Sequence, residues 1–423
     1  TCALPISGPR CDGVRPWLGA EPNEGCSVAH MRLLVRTASN GYFAQTVSAL
    51  SIPEPGRELE RSLEALVGDL EAIEGVGDLP GARKYNKKLA AALEGVSDED
   101  AFAVIERLRR GVEPPKDKLR VAEWKYLMTS KDEVPGALPR PGEPFFARRA
   151  RLPAAPPTGL GSVVLVHKLR EVRAQVGFTR IEPAAPNLEG EYDLKVAVQR
   201  LGTEHERWLP AVEVLGEGVL VCLDEAAVSA WEQRPAVVRR EDELRQGWDD
   251  WKRESFPDAP LEFPGARFYL LHSLAHLLIS AIALECGYSA SAIRERLYCS
   301  RPGAGAEGEP AMAGILLMTG TTGSEGTLGG LVEQGRRIHE HLRRAWRLGT
   351  LCSNDPICAG HSPARDHAER HLEGAACHGC LFVAEPSCER NNGMLDRALV
   401  VPTIGHDPGL AYFPELPAEA ERP

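Results

Sequence analysis

The chain has 423 residues, of which 43% are hydrophobic and 26% charged, with a net charge of −11 and a pI near 5.7. That length holds roughly two to four domains and at least one sizeable core. The acidic balance excludes a wholly basic nucleic-acid binder, though local basic patches remain open because electrostatic binding depends on where charge sits.

The opening residues, TCALPIS, have neither the basic start nor the long apolar stretch of a secretory signal, and they lack a methionine, so the chain reads as a fragment truncated at its N-terminus. No run of about eighteen apolar residues is present, so no membrane span or membrane partner is expected. Residues 8–56 carry GPRCDGVRPWLG, Cys26 and MRLLVRTASNGYFAQTVSALSIP. The alternation in the last stretch suits one or two strands, with Asn40-Gly41 as a turn. We read 1–56 as an incomplete zinc-ribbon-like β segment.

Residues 57–136 change character. RELERSLEALVGDLEAIEGV places Leu59, Leu63, Leu66 and Leu70 on one helical face, and ERLRRGVEPPKDKLRVAEWKYLM continues it around a Pro-Pro break. PGALPRPGEP (135–144) and ARLPAAPPTGLG (150–161) are connectors. In the β-rich middle, 137–263, SVVLVHKL (162–169) reads as a buried strand. LPAVEVLGEGVLVCLDEAAV (209–228) reads as two strands joined by a turn at Gly216-Glu-Gly218, with a helix starting at Asp224.

The last segment, 264–423, opens on ARFYLLHSLAHLLISAIALECG, apolar nearly all round and therefore a core helix, with Gly287 as its C-cap. Ser289 or Ser291 should start a second helix through SAIRERLYC. RPGAGAEGEP (301–310) is a loop, AGILLMT (313–319) a buried strand, and GTTGSEGTLGG (320–330) a turn into the helix LVEQGRRIHEHLRRAWRL. There is no internal repeat. The expected fold is mixed α/β (α+β) and multidomain, divided at these boundaries.

Eleven cysteines are present, and five of them, Cys352, Cys358, Cys377, Cys380 and Cys388, fall near the end. Local clustering without an export signal reads as metal binding in a reducing cytoplasm. Cys377-x-x-Cys380 with Cys388 suits a closed, four-thiolate zinc knuckle, with Cys352 or Cys358 competing for the fourth place. Reduced thiols and a redox CxxC pair are the rivals. The redox pair explains neither Cys388 nor the upstream thiols. Cys11 and Cys26 could form half of a second zinc site.

His272 and His276 lie one turn apart on the core helix. Ser273 stands where the glutamate of an HExxH metalloprotease would be, which favours buried, hydrogen-bonded histidines. GTTGSEGTLGG lacks the GK[ST] ending of a P-loop, and LVCLDEA without one is no ATPase metal site, so the chain is not a self-sufficient ATPase. RRIHEHLRRAWR (336–347), with Arg390 and Arg397, could follow a nucleic-acid backbone or simply be a solvated face.

Several blocks together resemble the DrmB family of the DISARM bacterial anti-phage system. They are FYLLHSLAHLLISAIALECGYSASAIRERLY, AGILLMTGTTGSEGTLGGLVEQG and CHGCLFVAEPSCERNNGMLDRALV, together with CDGVRPWLG, VRTASNGYFAQTVSALSIP, LREVRAQVGFTRIEP and WLPAVEVLGEGV. The resemblance covers most of the chain in the same order and is weakest over 57–135. The last third is also similar to the zinc-binding domain of MrfA-type helicases. The resemblance implies an accessory subunit without a motor of its own, partnered by the helicase-like DrmA subunit, binding DNA and acting beside a DNA methyltransferase. It also implies zinc on Cys377, Cys380 and Cys388 with Cys358 or Cys352. The chain departs from the family in lacking the N-terminal region. Three functions follow for test. One is a non-catalytic DNA-helicase partner whose Arg336, Arg337, Arg343, Arg344, Arg347 and Arg390 contact DNA. Another is a zinc hydrolase or nuclease using His272, His276 and Glu285. The third is a purely structural interaction scaffold.

Overall fold

The computed structural model describes residues 43–53, 62–63, 66–70, 73–94, 96–110, 118–134, 136, 145–153, 156–179, 209–255, 257, 261–304, 309–321, 330–364 and 370–417. Cys11, Cys26, the Asn40-Gly41 turn and most of the Gly-rich turn at 320–330 lie outside them.

The architecture is mixed α/β. Its frame is one antiparallel sheet of β1 (Phe43–Leu50), β2 (Phe146–Arg149), β3 (Leu160–Thr179), β4 (Ala211–Leu223), β5 (Arg294–Ser300) and β6 (Met312–Thr321). The order is β1-β3-β4-β6-β5, with β2 also pairing β3. β1 takes the far half of β3, with Leu50 opposite Glu171, and β2 takes the near half, with Arg149 opposite Val164. Strands from three of the four segments read from the sequence therefore share one sheet.

The sheet is covered on both sides, which explains why SVVLV is a continuous apolar run rather than an alternating one. Val163, Leu165, Val219, Val221, Ile315 and Leu317 face one core with helix α8 (Gly265–Cys286). Val164, Val166, Leu220, Leu316 and Met318 face the other, packed on Val121, Trp124 and Leu127 of helix α5 (Leu119–Met128). Among the described residues, α1 (Val67–Leu70), α2 (Leu79–Tyr85), α3 (Lys87–Ala92) and α4 (Asp98–Arg110) precede α5. They enclose a separate apolar cluster containing Leu63 and Leu70, with Leu66 packed against it; Leu59, expected on the same face, lies outside the described residues.

After β4 come α6 (Glu225–Glu232), whose N-cap Asp224 accepts the Ala227 N–H, and α7 (Pro235–Ser255). α8 ends at Gly287, whose φ of 71° is the left-handed C-cap that glycine adopts without strain. α9 (Gly330–Arg336) and α10 (Ile338–Thr350) follow β6. α8 is long and apolar enough to cross a membrane by length and composition alone, but here it is the buried core helix.

Besides the break at Arg337 that divides the last expected helix into α9 and α10, two expected elements differ. Gly216-Glu-Gly218 is no turn, because β4 runs straight through it. A Cβ on Gly216 would lie 1.8 Å from the Thr319 carbonyl oxygen, so the glycine admits close approach of β6. Glu217 between the glycines is buried, and its Oε1 accepts the Leu331 N–H at the start of α9, 2.8 Å away. The second mismatch is SAIRERLYC, which is a 3-10 turn followed by strand β5. Its charges read as a helix face turned to water. Instead Arg294 meets Glu171, Glu295 faces the His272 ring, and Arg296 meets Glu123. The last pair is fully buried, and Glu123 also accepts from the Tyr298 hydroxyl and the Leu50 N–H, joining α5, β5 and β1.

Replacing Gly216 with Ala should destabilise the fold by about 1–3 kcal/mol, because the clash is with backbone that cannot turn aside. Gly81→Ala in α2, where a Cβ meets nothing within 4 Å, should be neutral or slightly stabilising. Urea unfolding of the two variants beside the parent measures the contrast.

Candidate metal centre

The thiols of Cys352, Cys358, Cys377 and Cys380 converge, with all four sulfurs within 4.8 Å of one another. Cys352 and Cys358 sit in the turn that follows α10, and Cys377 and Cys380 in the tight turn whose Cys377 carbonyl accepts the N–H groups of Cys380, Leu381 and Phe382. Sulfur separations are 3.4 Å for Cys352–Cys377, 3.7 Å for Cys358–Cys380 and 3.8 Å for Cys377–Cys380. A zinc thiolate tetrahedron with bonds of about 2.3 Å has edges of about 3.8 Å, so the donor set fits the ion. N–H groups also point at the sulfurs. The Asn354 side chain and Gly379 backbone donate to Cys377 at 3.3 Å each, and the Asn354 backbone to Cys352 at 3.4 Å. Burial raises the Cys377 thiol, but these donors outweigh it and bring it to about 7.

Buried ion pairs hold the two turns. Arg397 is fully buried, donates to the Gly349 carbonyl at the end of α10 and pairs with Asp355 in the first turn. Asp396 accepts from Arg240 Nε of α7 at 2.8 Å and from the Ala375 and Ala398 N–H groups, while its own N–H donates to Ser273 Oγ of α8. Burial alone would raise the Asp396 carboxyl, but the Arg240 charge beside it holds it below the usual carboxylate range.

This geometry corrects the expected ligand set. Cys352 and Cys358 do not compete for one place, since both join Cys377 and Cys380. Cys388 lies outside that group, and its neighbours are His272, His276 and Glu295. The spacing misled because a cysteine close in sequence to a CxxC pair need not be close in space. A 3-10 turn at Glu385–Ser387 and a run of positive φ at Asn391, Asn392 and Met394 carry the chain onto α8 instead. Glu295, which sequence reasoning missed, was hidden by the misreading of β5 as helix. Glu285, the expected third member beside the histidines, pairs with Arg344 and Arg337 near the C-terminal end of α8.

The arginines also divide. Arg390 is buried, with its guanidinium 5.6 Å over the Phe268 ring, and so presents no surface for DNA. Arg336 pairs with Glu133 and Glu333, Arg337 with Glu340 and Glu285, and Arg344 with Glu285. Arg343 donates to the Pro417 carbonyl. Arg347 is exposed and makes no ion pair among the described residues. The sequence shows the cluster of cations but not the glutamates that the fold brings to them.

The MrfA Zn-binding domain family matches residues 274–381, a span that contains all four converging cysteines and ends before Cys388. The chain is 32% identical over 390 residues to the DISARM protein DrmB of Bacillus paralicheniformis, covering 88% of this chain. The chain spans 64% of that relative's length. A solved structure of the DUF1998 helicase MrfA bound to DNA matches at 12% identity over 52% of this chain and 23% of that one, with a TM-score of 0.25, a likeness too slight to bear on fold or function.

Serine at Cys352 or Cys358 should weaken retention of zinc at the four-thiol centre as much as Cys377→Ser does, whereas Cys388→Ser should leave that centre loaded. Thiolate-to-metal absorption of the cobalt-substituted variants separates these outcomes. Asp396→Asn should cost about 1–3 kcal/mol at neutral pH, because Arg240 loses its buried carboxylate and keeps only the more exposed Glu243. Because the folded carboxyl titrates below the unfolded one, the wild-type advantage is present above about pH 3.9 and is lost as pH falls through the folded value. Urea unfolding of both proteins across that range reads the difference.

Proposed function

We propose, taking the relationship to the DISARM protein DrmB as the premise, that this chain is a zinc-stabilised accessory protein of bacterial anti-phage defence. In this reading it is cytoplasmic, works beside a DrmA-like DNA helicase subunit, touches DNA in that complex, engages no membrane, and performs no catalysis of its own. Zinc held by Cys352, Cys358, Cys377 and Cys380 serves to fix shape.

The observation that carries this reading is the closed donor set. Four protein thiolates fill a tetrahedron and leave no position for a substrate or an activated water. The hydrolase alternative asks for an accessible metal beside His272 and His276, yet both rings are at most 1% exposed and Glu285 lies elsewhere. The sequence also has no P-loop from which to drive ATP turnover.

DNA contact would fall on α10, which runs directly into the first cysteine turn. Arg344 on it, and Arg336 and Arg337 just before it, meet glutamates, but exposed ion pairs are worth only about 0–1 kcal/mol, so a phosphate can replace a carboxylate at small cost. Arg347 is already free to engage. The same glutamates favour the scaffold reading, in which the chain meets the helicase and no nucleic acid.

Co-expression of the full chain with a DrmA-like helicase subunit tests both. The expected result is a stable complex whose DNA affinity falls steeply with salt, and no ATP turnover by this chain alone. Arg344→Ala with Arg347→Ala should lower affinity across all DNA sequences and reduce the salt slope by about two. A complex that binds DNA no better than the helicase alone, with no response to these changes, would establish the scaffold and reject DNA contact.

A further inference from the structure

The group around Cys388 is a second site, distinct from the four-thiol centre. His272 and His276 come from α8, Glu295 from β5 and Cys388 from the loop beyond the knuckle, and their ligand atoms all lie within 4.8 Å of one another. His272 Nε2 is 3.0 Å from Glu295 Oε1 and 3.1 Å from Cys388 Sγ, and His276 Nε2 is 3.5 Å from Glu295 Oε1. A zinc ion with bonds of about 2.0–2.3 Å to nitrogen, oxygen and sulfur sets its donors about 3.3–3.7 Å apart. We propose that His272, His276, Glu295 and Cys388 hold a second, fully enclosed zinc ion.

Proton bookkeeping drives the inference. His272 Nδ1 faces the Met394 carbonyl at 3.2 Å, and His276 Nδ1 faces the Leu381 carbonyl at 2.9 Å. A carbonyl only accepts, so each Nδ1 carries the proton, and in a neutral ring Nε2 is then a bare lone pair. His276 Nε2 points at an acceptor, Glu295 Oε1, and His272 Nε2 lies between Glu295 Oε1 and the Cys388 sulfur. Glu295 Oε1 already takes the Glu389 N–H at 3.0 Å, and Cys388 Sγ takes the Arg390 and Asn392 N–H groups at 3.2 Å each. Neither His276 Nε2 nor Glu295 Oε2 has a hydrogen-bond partner. Protonating both rings instead would bury two imidazolium ions with centroids 4.6 Å apart at essentially zero exposure. A divalent cation removes the conflict, because every lone pair in the cluster then has one acceptor of electron density to share.

The surroundings match what metal ligands need. A ligating histidine ordinarily donates its other ring N–H to a carbonyl or carboxylate, which fixes its tautomer, and both do so here. Two backbone N–H groups point at the sulfur, as they do at a thiolate held by a metal. Asn391, Asn392 and Met394 adopt φ of 51°, 60° and 60°, and Met394, an uncommon residue in that region, carries the carbonyl that orients His272. Imidazole and thiolate together select zinc-class ions over magnesium or calcium, and four protein donors, three of them almost wholly buried and Cys388 9% exposed, suit a structural rather than a catalytic site.

Metal analysis of the full chain, purified with zinc in the buffers, should give about two zinc ions per chain. Cys377→Ser with Cys380→Ser should lower this to about one, and His276→Gln or Cys388→Ser should do the same while the four-thiol centre stays filled. Zinc-edge X-ray absorption on the unaltered protein should show a shell of sulfur mixed with nitrogen and oxygen, a reading that does not depend on any variant folding. A single zinc in an all-sulfur shell would overturn the second site and leave the four-thiol centre standing. A single zinc in a nitrogen-rich shell would support the second site and count against the first.

Discussion

Helix α8 has almost no face for water, and the rest of the molecule is arranged to cover it. From Gly265 to Ile279 every residue is buried. The sheet covers it through Leu297, Ile315 and Leu317, α10 through Leu342 and Ala345, and the C-terminal loops through Leu395, Leu399 and Val401. A helix of this kind cannot form stably in water, because most helical stability comes from packing. The strands that cover it come from sequence on both sides of it, so the sheet must assemble before the helix is enclosed. That requirement joins segments that look separable in sequence.

The apolar helix also carries four buried polar side chains, and these decide which partners cover it. Arg267 reaches Glu225 and Glu232 of α6 and the Ser300 carbonyl of β5. Ser273 accepts from Asp396, which in turn holds Arg240 of α7. His272 and His276 face β5 and the loop after the cysteine turns. An apolar surface alone would accept many packings. A buried charge without its partner costs several kcal/mol and a buried neutral polar group about 1–3, so these four residues disfavour packings that leave them unpaired. The helix therefore sets the register of its surroundings through the few polar groups that a hydrophobicity plot treats as interruptions.

What the sequence discloses follows from the same distinction. The core helix, its Gly287 cap, the Asp224 cap, the β6 run and the clustering of cysteines are legible because each depends on neighbours within a few residues. The strand at 294–300 is not, since Arg294, Glu295 and Arg296 look solvated until their partners at 171, 272 and 123 are known. Gly216 and Gly218 look like a turn because a glycine pair signals either a turn or a close approach, and only the position of β6 separates them. For the same reason the CxxC pair could be recognised while the assignment of Cys388 could not. Local spacing specifies the turn that aims two thiols, but the destination of the next cysteine depends on the backbone conformations between.

The stretch from Cys377 to Cys388 then has two ends with different tasks. Its first turn supplies two thiols to the exposed edge of the molecule, and its last cysteine reaches into the core. Between them the Leu381 carbonyl, one residue after Cys380, accepts from His276. A displacement of the first turn would move that carbonyl and with it the ring whose other nitrogen faces Glu295. The loop is therefore held by groups that belong to the sheet, the core helix and the outer turns at once. Such a connection suits a protein whose surface must keep one shape against a larger partner. It is poorly suited to a hydrolytic centre, which needs an open coordination position and room for substrate. Enclosure, more than the identity of the donors, is what leaves these cysteines and histidines no open position for a substrate.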